Sequence, residues 1–204
     1  MRNEEYKYLA MAKRIREENL NTIEHWDELI NHPERKKQLI INNNRALSVF
    51  YTFPSRGLIL DAGCGQGEYM EFWFERNMRL GFCGIDFSES SLERAEKRCP
   101  WANIKLADIQ KEIPFKLKMF DVVTCMETLE HLDDPQKAAD EIYRVTKLDG
   151  KIIITVPYKL EIQAPEHVWE FDEHSLKELF PKLKDVAIMK TGSHFENLML
   201  IGIK

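Results

Sequence analysis

The stretch that decides the fold is Leu58-Ile-Leu-Asp-Ala-Gly-Cys-Gly-Gln-Gly-Glu-Tyr69. A short apolar run predicts a buried strand that ends at Asp61, glycines follow at positions 63, 65 and 67, and Glu68–Arg76 has helical spacing. Strand, glycine turn and helix are the first unit of a nucleotide-type α/β fold, in which ligands bind at the carboxyl ends of the strands. Glycines permit backbone angles that are closed to other residues, and they let the main chain approach a ligand closely.

The charge around this turn distinguishes between two kinds of ligand. A dinucleotide site needs the spacing G-x-G-x-x-G and places an anionic pyrophosphate at a helix N-terminus, whereas this chain has G-x-G-x-G and then Glu68. No Lys or Arg lies between Gly57 and Arg76, and Asp61 and Glu68 flank the turn. A ligand with an ammonium and a sulfonium fits these charges better than a phosphate. The D-x-G-x-G-x-G pattern resembles motif I of the class I S-adenosylmethionine-dependent methyltransferases.

Composition restricts the class of protein. The 204 residues are 44% hydrophobic and 31% charged, which predicts one soluble globular domain. The net charge of −5 gives no general attraction to nucleic acid or to an anionic membrane. The lack of a secretory signal and of an apolar run of about 18 residues predicts no membrane span and a cytoplasmic protein. Reduced, buried thiols are expected because no C-x-x-C occurs among Cys64, Cys83, Cys99 and Cys125.

Residues 1–53 are predicted to form a helical cap or lid ahead of a core at residues 54–204. Two interpretations of this cap remain open. The helices only cover one edge of the sheet, or part of them closes over the site with Tyr6 or Trp26 touching the substrate. Apolar spacing predicts three helices in this region, at Tyr6–Leu20, at Ile23–Ile30 and from Pro33 to Phe53.

Acidic residues follow the next two predicted strands. The stretch Gly81–Asp86 is predicted to be the second strand, and it ends in an acid. One carboxylate at this point can accept hydrogen bonds from both ribose hydroxyls of a bound nucleoside. Ala102–Ala107 predicts the third strand, which is followed by Asp108 and Ile109. The resemblance implies that Asp108 accepts from the adenine amino group and that Ile109 packs on the ring. Each ligand-binding interpretation has a structural alternative: Asp86 only caps a helix, and Asp108 only forms a simple turn.

The remaining pattern predicts the rest of an α/β sheet. Strands alternate with helices and then end in a hairpin-like pair, so we predict a Rossmann-like, seven-stranded, mostly parallel sheet with an antiparallel last strand, plus N-terminal helices. This is the fold of the class I methyltransferases. The later elements are predicted at Phe120–Met126 (strand), 133–147 (helix), Lys151–Val156 (strand), Phe171–Leu183 (helix), Asp185–Lys190 (strand) and Glu196–Ile203 (strand).

Ionisable side chains follow the fourth strand of this prediction. If Glu127-Thr-Leu-Glu130-His131 is one helical turn, Glu127 faces both Glu130 and His131. His167 follows the fifth strand and could approach from the neighbouring loop. Two carboxylates and two imidazoles can bind Mg²⁺, Mn²⁺ or a similar divalent ion, with water or substrate oxygens completing an octahedral site.

The stretch Asp121–Pro135 resembles the ubiquinone-biosynthesis O-methyltransferases, which methylate catechol-like rings. The pairing of E-x-x-E-H with a later His also resembles the methyltransferases that act on the terminal ribose of small RNAs. Both resemblances imply a divalent metal, which would lower the pKa of a coordinated hydroxyl and align it with the sulfonium carbon. Two alternatives remain open: His131 or His167 acts as a metal-free general base, or the Glu-His pair only shapes the pocket.

The sequence thus predicts an enzyme that transfers a methyl group from S-adenosylmethionine to a small-molecule acceptor, to oxygen, with Mg²⁺ or another divalent cation as a candidate cofactor. The alternatives are an RNA 3′-terminal ribose 2′-O-methyltransferase, against which the acidic balance argues, and a non-catalytic cofactor-binding domain. A monomer or a homodimer is expected. The predicted catalytic residues are His131, His167 and Glu127; the predicted metal ligands are Glu127, Glu130, His131 and His167; and the predicted cofactor-binding residues are Asp61, Gly63, Cys64, Gly65, Gly67, Asp86, Phe87, Asp108, Ile109 and Met126.

Overall fold

The computed structural model describes residues 12–31, 43–158, 164–191 and 197–204. The predictions for Tyr6, for the start of the third helix at Pro33 and for the start of the last strand at Glu196 lie outside these residues. The described elements in chain order are β1 (Lys13–Arg14), α1 (Ile23–Asn31), α2 (Asn43–Phe50), β2 (Gly57–Ala62), α3 (Glu68–Phe74), β3 (Leu80–Asp86), α4 (Glu89–Arg98), β4 (Asn103–Leu106), β5 (Phe120–Met126), a 3₁₀ turn (Leu129–His131), α5 (Pro135–Val145), β6 (Thr146–Pro157), β7 (Trp169–Glu170), α6 (Glu173–Glu178), β8 (Lys184–Thr191) and β9 (Asn197–Ile203).

Seven of these strands form one sheet in the order β4-β3-β2-β5-β6-β9-β8. β2, β3, β4, β5 and β6 pair in parallel, whereas β9 is antiparallel to both β6 and β8. The carboxyl ends of the parallel strands therefore meet at one edge of the sheet. The predicted seven-stranded, mostly parallel sheet with an antiparallel last strand is confirmed.

Alternate residues of the central strands face two separate hydrophobic clusters. Leu60 of β2 lies in the cluster that α5 and α6 cover, and its neighbour Ile59 lies in the cluster that α2, α3 and α4 cover. Each helix packs its apolar face against the sheet. Ile142 of α5 and Trp73 of α3 lie on such faces, and both side chains are fully buried. Burial of one such side chain stabilises the fold by about 1.5–3 kcal/mol.

Side-chain caps set where the helices begin. The Ser88 hydroxyl accepts from the Ser91 N–H at the start of α4. Asp134 accepts from the Lys137 N–H, and Pro135 occupies the first turn of α5. These local signals fix the first turn of each helix, and α5 lies within the range predicted for it, residues 133–147.

The predicted first helix is wrong for the part of it that the structure describes. Lys13 and Arg14 form a strand that pairs antiparallel with Glu170 and Trp169. The Ile15 N–H extends this pairing to the carbonyl oxygen of residue 168, at 2.9 Å. The partner strand lies about 155 residues further along the chain, so no local periodicity could indicate it.

Candidate active site

The glycine turn joins β2 to α3 in a conformation that requires glycine. Gly63, Gly65 and Gly67 have φ values of 79°, 52° and 83°, in the left-handed region that other residues rarely adopt. A Cβ added to Gly63 would stand 2.7 Å from Thr128 Cγ2, so a side chain at this position would clash. The Gly63 N–H donates to the carbonyl oxygen of Ile85 at 2.8 Å, which ties the turn to β3.

A cavity of about 380 Å³ opens at the carboxyl ends of β2, β3 and β5, above this turn. Such a position is where ligands bind in open α/β sheets. Four predicted site residues do not line the cavity, namely Asp61, Gly67, Glu130 and His167. The predicted residues that do line it are Gly63, Cys64, Gly65, Asp86, Phe87, Asp108, Ile109, Met126, Glu127 and His131.

Asp86 orders both the glycine turn and the start of α4. Its Oδ2 accepts from the Gly65 N–H at 2.9 Å, and its Oδ1 accepts from the Ser88 N–H at 3.0 Å. Burial raises the pKa of this carboxyl, whereas the backbone hydrogen bonds partly oppose the shift. Asp86 is therefore held rigidly at the rim of the cavity.

Asp61 lies behind the turn and is nearly inaccessible to solvent. The Thr124 hydroxyl of β5 donates to its Oδ1 at 2.8 Å. Burial raises its pKa to about 7, and the neighbouring charges of Asp86 and Glu68 act in the same direction. Three carboxyl groups thus surround the turn, and a cationic ligand in the cavity would stabilise their charged forms.

The third acid of the predicted cofactor site is partly engaged in its own loop. Asp108 Oδ1 accepts from the Gln110 N–H at 2.9 Å, and Lys111 Nζ lies 3.4 Å from Oδ2. Ile109 is buried, yet it lines the cavity beside Asp108. The pair offers one carboxylate edge and one apolar surface to a bound ring.

The predicted helical turn from Glu127 to His131 is wrong. Glu127 has φ 51°, and the 3₁₀ turn begins only at Leu129. Arg45 Nη1 of α2 lies 2.9 Å from Glu127 Oε1, and Glu127 is not among the residues whose candidate ligand atoms cluster with those of Glu130. The predicted set of four converging side chains is therefore divided into a Glu127 group and a Glu130 group.

Glu130, His131 and His167 form a compact cluster whose candidate ligand atoms all lie within 4.8 Å of one another. Neither Glu130 carboxyl oxygen has a hydrogen-bond partner among the described residues, although His131 Nε2 lies 3.7 Å from Oε1. Burial, and then the charge of Glu127, raise the pKa of Glu130 well above its usual value. Burial lowers the pKa of His167, whose Nδ1 also lacks a hydrogen-bond partner in the described part of the chain.

The segment that includes α1 covers the end of the cavity that contains His131. The Trp26 ring packs edge-on against the His131 ring at 5.1 Å between centroids, and Asn19 Nδ2 donates to the His131 carbonyl oxygen at 3.2 Å. Asn21 donates to the carbonyl oxygen of Glu166 at 2.7 Å. Three lining residues from this segment are Asn19, Asn21 and Trp26.

Sequence reasoning missed several cavity residues. Tyr69 and Gln66 lie in the glycine-rich stretch Leu58–Tyr69, and this position could have identified them as cavity residues. Asn19 and Asn21 carry no local signal, because contacts with residues more than a hundred positions away bring them over the site. Trp26, which the lid interpretation named as a substrate contact, does line the cavity. The other lining residues outside the predicted set are Asn19, Asn21, Gln66, Glu68, Tyr69, Ser88, Ser91, Ala107, Gln110, Thr128, Leu132 and Asp133.

Comparison with known proteins agrees with this geometry. Residues 60–154 match the model of a family described as a methyltransferase domain. The match covers a little under half of the chain. It runs from the middle of β2 to the later part of β6, and it includes the glycine turn, Asp86 and Glu127.

Individual relatives of this methyltransferase domain agree with the assignment. The ubiquinone biosynthesis O-methyltransferase of Idiomarina loihiensis is 28% identical over 71% of this chain and 64% of its own length. The malonyl-[acyl-carrier protein] O-methyltransferase of Hamiltonella defensa is 26% identical over 71% of this chain and 55% of its own length. The chain therefore spans about half to two thirds of these curated relatives.

A solved structure shows the same fold over nearly the whole chain. A SAM-dependent methyltransferase from Thermotoga maritima has a TM-score of 0.70 and 17% identity, and the match covers 88% of this chain and 98% of that one. The prediction of a class I S-adenosylmethionine-dependent methyltransferase is confirmed by the domain family and this fold. The family also supports S-adenosylmethionine as the methyl donor. Among the described residues, no helix has the length and apolar character needed to cross a bilayer.

Proposed function

We propose that the protein transfers the methyl group of S-adenosylmethionine to a hydroxyl oxygen of a small-molecule acceptor. The observation that carries this proposal is one continuous cavity whose lining runs from Asp108 and Asp86 past the glycine turn to Glu127 and His131. One end offers the groups that recognise a nucleoside, and the other offers a carboxylate and an imidazole. The O-methyltransferase names of the two curated relatives support oxygen as the methylated atom.

The cofactor would occupy the end of the cavity that contains the glycine turn. Asp108 would accept from the adenine amino group while Ile109 packs on the ring, and Asp86 would accept from the ribose hydroxyls. Gly63 and Gly65 would let the main chain approach the methionine part, whereas Gly67 stands outside the cavity lining. Three further side chains form walls of this end, namely Cys64, Phe87 and Met126.

The negative charge around the turn would favour a doubly cationic methionine part. Asp61 does not line the cavity, so we assign it an electrostatic role from behind the turn rather than a direct contact. Because its pKa is raised to about 7, an arriving ammonium or sulfonium would shift Asp61 toward its charged form. Cofactor affinity should therefore rise as the pH increases through 7.

Methyl transfer would be an in-line displacement on the sulfonium carbon. The acceptor oxygen forms the new C–O bond, the C–S bond breaks with its electron pair going to sulfur, and the hydroxyl proton leaves to a base. His131 Nδ1 lies 3.0 Å from the carbonyl oxygen of Glu166, which can only accept, so Nδ1 carries the proton and, with no cation bound, the unprotonated Nε2 would act as the base. His167, whose ring centroid lies 5.0 Å from that of His131, would act by positioning it.

The proposal also includes a divalent cation site next to the cavity. Glu130, His131 and His167 fit a cation because two carboxyl oxygens and one imidazole nitrogen of this buried cluster lack hydrogen-bond partners among the described residues. One carboxylate with two imidazoles suits Mn²⁺, Fe²⁺ or Zn²⁺ better than Mg²⁺. Such an ion would lower the pKa of a coordinated acceptor hydroxyl. Glu127 would remain outside this ligand set because it pairs with Arg45.

Calorimetry tests the cofactor and the cation separately. We expect S-adenosylhomocysteine to bind the protein, and its failure to bind would refute the proposed function. Mn²⁺ and Zn²⁺ are then titrated into the loaded protein and into the Glu130→Gln and Glu127→Gln variants. Binding that is lost in Glu130→Gln but kept in Glu127→Gln supports the three-residue cation site, whereas absence of binding removes the cation and leaves His131 as a metal-free base.

Turnover on a panel of acceptors identifies the methylated atom. Catechols, phenols, carboxylic acids and primary amines are incubated with S-adenosylmethionine labelled in the methyl group. Transfer to hydroxyl compounds is the expected result. Exclusive transfer to amines or acids would contradict O-methylation of a hydroxyl while leaving the methyltransferase assignment in place.

A further inference from the structure

The Glu127 carboxylate is held by side chains from two distant parts of the chain. Arg45 Nη1 lies 2.9 Å from Glu127 Oε1. In the amide orientation that satisfies both neighbours, Asn197 Nδ2 donates to Glu127 Oε2 at 2.7 Å and its Oδ1 accepts from Arg45 Nη2 at 3.2 Å. Each of the three side chains thus contacts the other two, and the carboxylate cannot rotate without breaking a hydrogen bond.

The backbone of Glu127 is held in an unusual conformation at the same point. Its φ of 51° lies in the left-handed region, which costs free energy for a residue with a side chain. The Glu127 N–H donates to the carbonyl oxygen of Thr155 at 3.0 Å. Strained residues of this kind persist only where their surroundings determine them, and they occur often at functional sites.

The three side chains differ in their access to the cavity. Arg45 and Asn197 are buried and are absent from the lining of the cavity, whereas 27% of the Glu127 side chain is exposed and Glu127 lines the cavity. A bound molecule can therefore contact Glu127, while Arg45 and Asn197 stand behind it. Tyr69 lines the cavity beside this group, and burial raises its pKa to about 12, so its phenol stays neutral.

We propose that Arg45 and Asn197 are positioning residues that hold the charged Glu127 carboxylate at the acceptor end of the cavity, where it accepts a hydrogen bond from the nucleophile. This inference rests on the proposed function and names its acceptor class. A hydroxyl or an amine can donate to Glu127, whereas a carboxylate acceptor would bring a second negative charge against it. The acceptor is therefore a hydrogen-bond donor that carries no negative charge on its nucleophilic atom.

The neighbouring glutamate shows what happens without such support. Glu130 lies three residues further on and is fully buried, and neither of its carboxyl oxygens has a hydrogen-bond partner among the described residues. Arg45 and Asn197 therefore distinguish Glu127, whose carboxylate they hold in place, from Glu130, whose carboxyl group has no such support.

A pair of cofactor analogues tests this inference without a known acceptor. S-adenosylhomocysteine lacks the methyl group, and sinefungin carries an amine in its place, so the amine probes the position from which the methyl group faces the acceptor. The ratio of their dissociation constants, measured by calorimetry at pH 8, reports on the carboxylate at that position. We expect the wild-type protein to bind sinefungin more tightly than S-adenosylhomocysteine. In Glu127→Gln the ratio of the two affinities should fall about tenfold, which corresponds to the loss of a hydrogen bond to a charged group.

The positioning residues are then changed one at a time. Asn197→Ala leaves the net charge unchanged, and Arg45→Met removes a positive charge behind Glu127. Both should reduce the preference for sinefungin by about threefold to tenfold while S-adenosylhomocysteine affinity stays within twofold. Arg144→Met is the matched control, because Arg144 pairs with Glu141 on α5 at 2.6 Å, away from the cavity. It should leave the ratio unchanged.

The sign of the Arg45→Met result separates positioning from simple charge balance. If Arg45 only neutralised Glu127, its removal would strengthen the attraction for the amine and raise the preference for sinefungin. A rise in Arg45→Met, or an unchanged ratio in Asn197→Ala, would overturn the inference. Failure of the wild-type protein to bind S-adenosylhomocysteine would instead overturn the proposed function, and the inference with it.

Discussion

The two ends of the cavity are built in different ways. At the cofactor end, Asp86 and the glycine turn lie within a few residues of a strand end, and backbone hydrogen bonds hold them. At the acceptor end, Glu127 depends on Arg45 and Asn197, which come from an early helix and from the start of the last strand. The cofactor end is thus a local structure carried by one supersecondary unit, whereas the acceptor end is assembled by tertiary contacts. Substitutions should therefore have separable effects at the two ends.

The largest expected effect is at Gly63, at the cofactor end. Gly63→Ala should lower the free energy of unfolding by about 3 kcal/mol, because it combines a left-handed backbone with overpacking against Thr128. Urea denaturation measures this loss, and calorimetry with S-adenosylhomocysteine measures the accompanying loss of affinity. A stable Gly63→Ala variant with normal affinity for S-adenosylhomocysteine would contradict the conclusion that this turn is rigid.

Gly65 provides the matched control for that experiment. Its φ is 52°, but no atom lies within 4 Å of an added Cβ. Gly65→Ala should therefore show only the backbone cost of about 1–2 kcal/mol. Equal losses in the two variants would mean that backbone strain alone, and not the contact with Thr128, decides the requirement for glycine.

A second prediction concerns the pH dependence of stability at Asp61. A carboxyl whose pKa is raised in the folded protein binds its proton more tightly there than in the unfolded chain. The stability that it contributes is therefore present below its unfolded pKa, near 3.8, and is lost as the pH rises through about 7. Asp61→Asn lacks this loss, so its stability relative to wild type should increase by the order of 2 kcal/mol between pH 4.5 and pH 8.

Asp121 gives the opposite sign and so serves as the control. Burial acts to raise the pKa of Asp121, but the hydrogen bonds from Lys147 and from the Leu58 N–H outweigh it and hold the pKa below its usual value. Asp121→Asn should therefore lose stability relative to wild type as the pH rises from 3 to about 4, and the difference should then stay constant up to pH 8. Urea titrations at pH 3, 4.5, 6 and 8 give both differences, and parallel curves for the two variants would contradict the assignment.

The cofactor end was largely predictable from sequence for a physical reason. One compact unit contains the parallel strand, the glycines at alternate positions and the acid at the end of the next strand. The spacing of these features in the sequence therefore indicates how close they lie in the fold. The mostly parallel sheet could then be inferred from the alternation of strands and helices. Gly63, Gly65 and Asp86 all line the cavity as expected.

The acceptor end was not predictable in the same way. Helical spacing grouped Glu127 with Glu130 and His131, but an ion pair with Arg45 and a left-handed φ override that local pattern. The strand at Lys13–Arg14 likewise exists only because Trp169–Glu170 lies beside it. Contacts between residues 70 or more positions apart decide this end, and no local window of sequence contains them.

A third prediction confines its effect to the cofactor end. Asp86 accepts two backbone N–H groups with its two oxygens, and an asparagine can accept with only one. Asp86→Asn should weaken S-adenosylhomocysteine binding by about 30-fold, which corresponds to the loss of a hydrogen bond to a charged group. Glu130→Gln is the control from the acceptor end, and its affinity for S-adenosylhomocysteine should stay within twofold. A comparable loss in both variants would show that the two ends are coupled.

The smallest predicted effect concerns the segment that closes the acceptor end. Asn21 donates to the carbonyl oxygen of Glu166 at 2.7 Å and accepts from the Trp26 indole N–H at 3.0 Å. The same carbonyl oxygen accepts from His131 Nδ1. Asn21→Ala should therefore lower the free energy of local opening of this segment by about 1 kcal/mol.

Hydrogen exchange distinguishes this local opening from global unfolding. The amide of Ile15, which donates to the carbonyl oxygen of residue 168, should exchange about fivefold faster in Asn21→Ala, whereas amides of β5 should keep their protection. Glu24→Ala, an exposed change on α1, should leave both rates unchanged. Equal acceleration in β5 would mean that the segment and the sheet open as one unit. A local effect would instead show that the covering segment can open while the cofactor end stays folded, as an acceptor site built from tertiary contacts requires.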